Sequence, residues 1–554
     1  MEKKELSMEI RLLIAFALMG LVLFITPYVI KTPPPQPDDQ GKTAKTAEVK
    51  PVVPPTNTDG KPVEVPGQVQ ASQLELPSID NDHFRVVFSN QGAVVRSWVL
   101  KGVKDHQGRP LDLVNSQAMG KLPGPFALYF KNQKPQADPD TALFQVHHPD
   151  PLTLEFDYSD GRTAFHKSFH FTQSGYLADI SSRVSQNGVL LPHALAWRGG
   201  FGDSTVVNPA NYQLPLYYDL PNTKLNEKAV KDAKNGPVSS SGEYSFAGLE
   251  DTYFAGVFLP AARTPVEFTI FSDNLIGPDN KDEARVGAAV GGEGANSFRF
   301  YLGPKDGDIL AKVDTRLEPL ISWGFWGFLA KYLFEMLRWT ADHVTHNYGW
   351  GIVLVTLAIN MLLLPLKITS MKSSRQMQAL QPQIAALNEK YKNLSMRDPR
   401  KAEQNQEMMD LYKKHNVNPV GGCLPMLLQF PFLLAFYTVL RIAPALRGAG
   451  WLWIPDLSQP ETLAIHLLPI LLVVTQFASQ RMTPAPGMDP AQQKMMMLMP
   501  LVFGFMFYGQ PAGLVLYWLT GNVVGIAQQW LLNRTTKAPA VIDVKPAPKK
   551  TKRK

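Results

Sequence analysis

NYGWGIVLVTLAINMLLLPL, residues 347–366, is an apolar run long enough to cross the hydrocarbon core of a bilayer. It nevertheless carries Thr356 and Asn360 four residues apart, and Lys367 follows Asn360 by seven. Residues at these spacings share one face of a helix, so the three form a polar stripe. For Thr356 the alternative is a hydrogen bond to a neighbouring helix or to its own backbone. An unpaired polar group in hydrocarbon costs several kcal/mol, so Asn360 predicts that this helix is one wall of a wet pocket.

Charge is distributed unevenly along the 554 residues, whose formal net charge is +7. Lys and Arg gather in the first eleven residues, in 367–414 and in 534–554, each next to a hydrophobic run. This is the positive-inside pattern, so all three segments are expected in the cytosol. The single cysteine, Cys423, excludes an internal disulfide and is read as a small buried hydrophobe without chemistry.

The N-terminal part divides into an anchor and a tether. Residues 12–30 form an apolar run longer than a signal-peptide core, and no clear cleavage site follows it. We therefore predict an uncleaved transmembrane anchor at 1–31, with a cleaved signal peptide as the alternative. Residues 32–79 are rich in Pro, Lys, Thr and Asp, which predicts a disordered linker.

Residues 80–318 show short alternating runs such as FRVVF at 84–88 and TAFHKSFHF at 163–171, separated by Gly, Asn, Asp and Pro. Many short strands without helical periods between them predict an antiparallel β-sandwich outside the inner membrane. His166 and His170 share a face of one strand, but no acidic or cysteine cluster accompanies them in the sequence. We expect ordinary sandwich surface there and no catalytic site.

An amphipathic helix is predicted at 319–343, where charged residues recur at helical spacing and apolar residues cover the other side. Its tryptophans favour the lipid headgroup layer over the alternative, a helix packed on the sandwich. The charged side is Lys331, Glu335, Arg338 and Asp342, and the apolar side is Phe325, Trp326, Leu329, Leu333, Met336 and Leu337.

The remaining chain predicts an all-α transmembrane bundle of five core helices, to which the N-terminal anchor adds a sixth span. An even number of spans returns the basic tail to the cytosol, where the N-terminus also lies. The predicted segments are transmembrane helix 2 at 344–366, a charged cytoplasmic helical hairpin at 367–418 with helices near 370–393 and 400–415, transmembrane helices 3–6 within 419–533 (approximately 420–441, 462–480, 494–510 and 512–532), and a basic tail at 534–554.

Four motifs occur in order along this region: MQALQP (377–382), NPVGGCLPMLLQFP (418–431), DPAQQKMMMLMP (489–500) and AGLVLYWLTGN (512–522). In these motifs and their places relative to the spans, the chain resembles the YidC/Oxa/Alb family of membrane protein insertases. The extra first anchor and the large outer domain resemble the Gram-negative type.

The resemblance implies a multi-pass inner-membrane protein that inserts and folds nascent membrane proteins, alone or with the Sec translocon. It implies no enzyme activity, cofactor or nucleotide, and no GxxxxGK[ST] phosphate loop occurs in the sequence. It also implies a hydrophilic groove open to cytosol and lipid but closed outside, and a periplasmic β-supersandwich. The basic tail predicts contact with anionic lipid, with the ribosome as the alternative.

One position departs from the family pattern. The groove of the family usually carries an arginine where this chain has Asn360, so the resemblance leaves the groove without its charge. Lys367 is a candidate for a displaced positive charge, but the sequence favours the other interpretation, snorkelling to the interface. Pro365 could also rotate Lys367 off the stripe.

These considerations give two sets of candidate residues. The predicted substrate groove comprises Thr356, Asn360, Lys367, Gln429, Tyr517, Trp518, Asn522 and Gln528. The family motif in the hairpin comprises Met377, Leu380, Gln381 and Pro382. The competing functions are a late-acting assembly chaperone, a transporter or channel, and a membrane-tethered carbohydrate enzyme if the sandwich is the working part.

Overall fold

The computed structural model describes residues 66–105, 107–205, 212–261, 264–277, 280–391, 398, 400–415, 424–482 and 490–535. The chain divides into two compact units, a β-rich unit that ends at Ser322 and a helical unit that begins at Trp323. The predicted anchor, the linker as far as residue 65 and the tail beyond residue 535 lie outside the described residues.

The β-rich unit consists of two antiparallel sheets. The strands are β1 (Ser78–Asp80), β2 (Phe84–Ser89), β3 (Val94–Lys104), β4 (Pro110–Asp112), β5 (Ala127–Tyr129), β6 (Gln145–His147), β7 (Thr153–Ser159), β8 (Thr163–Phe171), β9 (Leu177–Gln186), β10 (Val189–Leu190), β11 (Ala194–Trp197), β12 (Leu214–Asp219), β13 (Lys224–Glu227), β14 (Val238–Glu250), β15 (Phe254–Leu259), β16 (Pro265–Ile276), β17 (Asp282–Gly291) and β18 (Ala295–Pro304). The smaller sheet has the order β1-β2-β3-β4. The larger sheet has the order β5-β11-β17-β16-β14-β15-β18-β9-β8-β7-β6, with β10 on β9 and the β12–β13 pair on β14. The predicted β-sandwich class is confirmed.

The sandwich begins earlier in the chain than predicted. The hydroxyl of Ser159 donates to the carbonyl of Pro66, and the backbones of Val69 and Ser159 exchange two hydrogen bonds. Strand β1 follows at Ser78. Because the backbone of 66–79 is paired with the sandwich, this segment is not part of the linker predicted at 32–79.

Strand β8 shows how alternation builds the core and where it breaks down. Phe165, Phe169 and Phe171 are buried, as the period of two predicts, but Lys167 is buried on the same face. Its Nζ donates to the carbonyls of Gly92 (2.8 Å), Ala93 (3.0 Å) and Phe126 (2.8 Å). Burial lowers the pKa of Lys167 to about 7, so these three bonds offset a large desolvation cost.

A short helix, α1 (Gly307–Val313), completes the β-rich unit. Leu310 on this helix, with Leu317 and Leu320 beyond it, packs against Phe246 and Val257 of the sandwich. The chain between β18 and Ser322 therefore belongs to the same core.

The helical unit contains the elements predicted for the bundle, and the four helices after the hairpin lie close to their predicted places. The helices are α2 (Gly327–Thr340), α3 (Tyr348–Leu362), α4 (Leu364–Ala379), α5 (Gln381–Lys390), α6 (Arg400–Lys414), α7 (Leu424–Ile442), α8 (Leu467–Met482), α9 (Pro490–Phe507) and α10 (Ala512–Thr535). Helix α2 packs on α7 and α3. Helix α10 packs on α8, α3 and α7, and α9 packs on α8.

The predicted single helix at 344–366 is divided. Helix α3 ends at Leu362, and the axis of α4 departs from it by 58°. Pro365 explains the break, because proline lacks the N–H for an i to i−4 bond and clashes with the carbonyl four residues earlier. Among the described residues no helix on its own is long and apolar enough to pass as a membrane span, whereas the bent pair α3–α4 passes when taken together.

Helix α2 is amphipathic, and its apolar residues divide between the bundle core and the surface. Ala330, Leu333, Phe334 and Leu337 are buried in the bundle core, because α2 packs on α7 and α3. Phe325 and Met336, both predicted on the apolar side, are exposed.

The two charged helices predicted between 367 and 418 are present, with the first divided at Leu380, just before Pro382. Helices α5 and α6 form a hairpin in which Lys390 Nζ pairs with the Glu407 carboxylate at 2.7 Å. Leu380 and Ile384 are buried against Met408, Leu411 and Tyr412. The hairpin core is therefore small, with a polar exterior.

Replacing Lys167 with Met should weaken the sandwich, because three buried carbonyls lose their donor at a cost of about 1–3 kcal/mol each. We expect a loss of roughly 3 kcal/mol, seen as roughly hundredfold faster amide hydrogen exchange across residues 163–171 of the full-length protein. Lys121→Met, at an exposed position, is the matched control. Equal exchange in both variants would contradict the assigned role.

Candidate functional site

One end of the helical bundle is closed by the loop between α7 and α8. The Asn347 side chain, which caps α3, donates to the carbonyl of Gly450 at 2.9 Å. The backbone N–H groups of Ala512 and Gly513, at the start of α10, donate to Gln459 and Leu457 of the loop at 2.7 and 2.9 Å. The loop therefore joins the first turn of α3 through a side-chain bond and the first turn of α10 through two backbone bonds.

Tryptophan packing reinforces this closure. A Cβ on Gly349 would lie 2.2 Å from the Cγ of Trp451, so the indole occupies space that only glycine leaves open. The buried carboxylate of Glu461 accepts from the indole N–H of Trp453 at 2.7 Å and from the backbone N–H of Leu468 at 2.8 Å. The loop is thus anchored to α3 and to the start of α8.

A polar cluster lies further along α3, within the apolar bundle. Asn360 is 2% exposed, and its amide nitrogen donates to the Thr356 carbonyl at 2.7 Å. The ammonium of Lys367 donates to the Asn360 side-chain oxygen. Gln528 on α10 donates to the backbone carbonyl of Asn360 at 3.4 Å. We call these four residues the lysine cluster.

Within this cluster, the kink decides the position of Lys367. The 58° bend could have carried Lys367 away from α3, but its side chain lies back against Asn360 and is 8% exposed. Among the residues that the structure describes, no Asp or Glu forms an ion pair with it. Snorkelling, the alternative from the sequence, is not what the structure shows. Thr356 takes the other option expected for it, since its hydroxyl donates to the Ile352 carbonyl at 2.6 Å.

A second polar group lies between α8 and α10. The Asn522 amide donates to Gln476 Oε1 at 2.8 Å and to Thr475 Oγ1 at 3.3 Å. Thr475 and Gln476 were missed in the sequence, although two adjacent polar residues in the apolar run 467–477 give the same signal as Asn360. Asn522 and Gln528 are six residues apart, so they point to different sides of α10.

The other predicted groove residues are placed differently. Trp518 packs on Phe503 and Phe507 of α9, with ring centroids at 5.7 and 5.2 Å. Tyr517 stacks on Phe436 of α7, with ring centroids 4.5 Å apart. Both aromatic rings therefore contribute to helix packing.

Gln429 joins α7 to this region. It is half-buried, and its amide nitrogen lies 3.5 Å from the position of a Cβ on Gly521. The buried Tyr517 hydroxyl lies beside Gln429 but lacks the geometry of a full hydrogen bond. Gln429 thus faces α10 beside Gly521 and Tyr517.

The hairpin motif is not part of either polar group in the described contacts. Leu380 is buried in the hairpin core, where Met377 packs against it. Gln381 and Pro382 are exposed. The four residues therefore set the turn between α4 and α5.

The chemistry available in the lysine cluster is hydrogen bonding and attraction of negative charge. In the described part of the chain, no group of three or more His, Cys, Asp and Glu side chains could hold a metal ion. Lys367 offers a cation, Asn360 and Gln528 offer amides, and the buried Oε1 of Gln528 has no hydrogen-bond partner among the described residues. Such a site offers hydrogen bonds and a positive charge to polar groups.

Comparison with known proteins covers both units. Residues 77–336 match the family model described as YidC periplasmic domain, and residues 339–539 match the model described as 60Kd inner membrane protein. A membrane protein insertase YidC from Geotalea uraniireducens is 33% identical over 553 residues, covering 95% of this chain and 99% of that protein. Its counterpart from Geotalea daltonii is 33% identical over 558 residues, covering 96% and 100%.

Among solved structures, a crystal structure of an active YidC insertase with its first transmembrane domain resolved is also similar. It is 18% identical, with a TM-score of 0.35, and the match covers 84% of this chain and 94% of that one.

Gly349→Ala should destabilise the closed end, because the new methyl group overlaps the Trp451 ring. Overpacking of this kind costs about 1–3 kcal/mol, which corresponds to a fall of roughly 5 °C in the melting temperature of the helical unit in detergent. Combining it with Trp451→Leu should cost less than the sum of the two single changes. Gly525→Ala, where nothing lies within 4 Å of the added Cβ, is the control. Strict additivity would contradict the assigned packing.

Proposed function

This chain belongs to the YidC family of membrane protein insertases, and from that premise we propose how its polar residues serve insertion into the inner membrane. The protein inserts membrane proteins, and its substrates are nascent membrane polypeptides. The proposal concerns the route: the lysine cluster and the Asn522 group line a hydrated groove through which a short polar tail of the substrate passes.

The ammonium of Lys367, buried beside Asn360, is the observation that carries this proposal. A buried charge is costly unless it is paired, and the described residues offer it an amide oxygen but no carboxylate. A cation in this situation attracts an acidic side chain or water. We infer that Lys367 supplies the positive charge that Asn360 lacks, and that acidic residues of a substrate tail approach it.

The physical problem is the barrier of about 30 Å of hydrocarbon. Polar groups on α3, α8 and α10 would keep the tail solvated for part of that distance, while the loop between α7 and α8 closes the other end. Exposed apolar side chains then offer a path for the hydrophobic segment into lipid. On α9 these are Met497, Leu498, Leu501, Val502 and Phe505.

The membrane arrangement follows from the charge pattern. We propose six spans, with the N-terminus, the α5–α6 hairpin and the basic tail in the cytosol and the β-rich unit in the periplasm. We keep the domain limits predicted at 1–31, 319–343, 344–366, 367–418, 419–533 and 534–554, and the described part of the β-rich unit starts at Pro66. Helix α2, with Phe328, Tyr332 and Trp339 exposed, would lie in the outer interface.

Partners beyond the substrate are also proposals. The Sec translocon follows from family membership, and the basic tail favours anionic lipid over the ribosome. The protein is proposed to act without nucleotide or cofactor and without enzymatic turnover.

Three other functions have distinct signatures. A late-acting assembly chaperone would contact substrates only after insertion, so a photocrosslinker at Asn360 would label completed chains and not nascent ones. A channel would show single-channel conductance. A carbohydrate enzyme would lose its function on deletion of residues 80–318 with the bundle retained, whereas insertion of a single-span substrate should survive that deletion.

Lys367→Met should reduce insertion of a substrate with an acidic tail roughly tenfold, equivalent to about 1.4 kcal/mol, and change insertion of a neutral-tailed substrate little. Lys367→Arg is the matched control, because it keeps the charge. Adding Asn360→Arg to Lys367→Met should restore the preference for acidic tails. The measurement is protease protection of radiolabelled substrate in membranes from cells that are depleted of the wild-type protein and express the variant. Equal losses for both substrates would refute the assigned role of Lys367.

A further inference from the structure

The large sheet of the β-rich unit contains a depression of about 610 Å³ on one face. Strand register places five side chains in a row across β6, β7, β8, β9 and β18, because directly opposed residues share a face. The row is Gln145, Asp157, His166, Arg183 and Ala295.

Most of the side chains that flank this row are small and leave the space open. On one side lie Ser159, Ala164 and Ser185, and on the other lie His147, Glu155, Ser168, Ser181 and Ser297. Pro66 and Val69 border the depression at the end of β7. We call this depression the sheet-face cleft.

A carboxylate and two imidazoles meet in the cleft. The Nδ1 of His166 lies 2.8 Å from Asp157 Oδ1, and the Nε2 of His147 lies 4.0 Å from Asp157 Oδ2. All three side chains are between one-third and one-half exposed. Each imidazole keeps a second ring nitrogen that Asp157 does not use. The cleft therefore offers donors and acceptors side by side on solvent-accessible groups.

We propose that the sheet-face cleft binds a short neutral glycan. Sugar hydroxyls both donate and accept hydrogen bonds, which suits a wall that mixes a carboxylate, imidazoles, a guanidinium and hydroxyls. Pockets of this volume hold compact ligands of two or three sugar rings.

Charge balance argues for a neutral ligand. Asp157 opposes a phosphate or carboxylate, and Arg183 opposes a cation. An extended peptide is less suited, since peptides add to sheets through backbone groups at an edge, whereas this cleft lies on a face where only side chains are presented. The site belongs to the β-rich unit and shares no residue with the lysine cluster, so it is independent of the insertion route.

The test uses the full-length protein in lipid nanodiscs with three probes: maltotriose, triacetylchitotriose and, for peptides, trialanine. Saturation-transfer NMR should show at least one trisaccharide binding, with the affinity reduced at least fivefold by Asp157→Asn and by Arg183→Gln. Asp282→Asn and Arg85→Gln, at exposed positions elsewhere in the β-rich unit, are the matched controls. Insertion of a single-span substrate should be unchanged in all four variants.

Two results would overturn the proposal. One is that neither trisaccharide binds, including the case in which trialanine binds instead. The other is that a trisaccharide binds equally well to the cleft variants and the controls. Because the two cleft substitutions nearly preserve size, melting temperatures should match the wild type, and Arg183→Gln alone decides the matter if Asp157→Asn does not fold. Hydrogen exchange across residues 153–171 should also slow when the sugar is added to the wild-type protein.

Discussion

Polar groups buried in an apolar helical bundle must find partners, and in this protein that constraint acts most strongly at Asn360. Its side chain bonds both its own helix and Lys367, and its backbone carbonyl accepts from Gln528 on α10. These bonds join α3 to α4 and to α10. If Asn360 were apolar, Lys367 would lose its described acceptor. No described hydrogen bond would then hold the ammonium inside the bundle after the bend at Pro365.

The two ends of the helical unit are built on different principles. At the loop end, Gly349 and Gly513 let the loop approach α3 and α10 closely. Tryptophan rings fill the space there, and backbone hydrogen bonds hold the loop in place. Beyond the middle of α3, the interior contains amide side chains and a lysine instead. A tightly packed end and a polar, cationic interior are what the proposed one-sided groove requires. In that proposal a hydrophilic segment enters from the polar side and needs no continuous pore.

Much of this arrangement was predictable from the sequence, for reasons that particular residues make plain. The i, i+4, i+11 spacing of Thr356, Asn360 and Lys367 placed them on one stripe, and alternation in β8 placed its phenylalanines inside. The direction of Lys367 was not predictable, because it depends on how the chain continues after Pro365. Lys167 was also missed, since three carbonyls from distant segments make its burial tolerable. Which residues of α2 are buried depends on α7, which is distant in the sequence, and on α3, which follows α2 in the chain. The pairing of residues 66–79 with the sandwich depends on Ser159, which is also distant in the sequence.

Solvent access at Asn360 is the most direct measure of whether the polar residues line a hydrated route. In a Cys423→Ser background, Asn360→Cys in inverted membrane vesicles would be exposed to a membrane-impermeant maleimide, with Leu362→Cys, on the exposed apolar side of α3, as reference. The account predicts that the thiol at 360 reacts at least tenfold faster than the thiol at 362, and that substrate slows it. A thiol at 360 that reacts no faster than the one at 362 would contradict the hydrated groove.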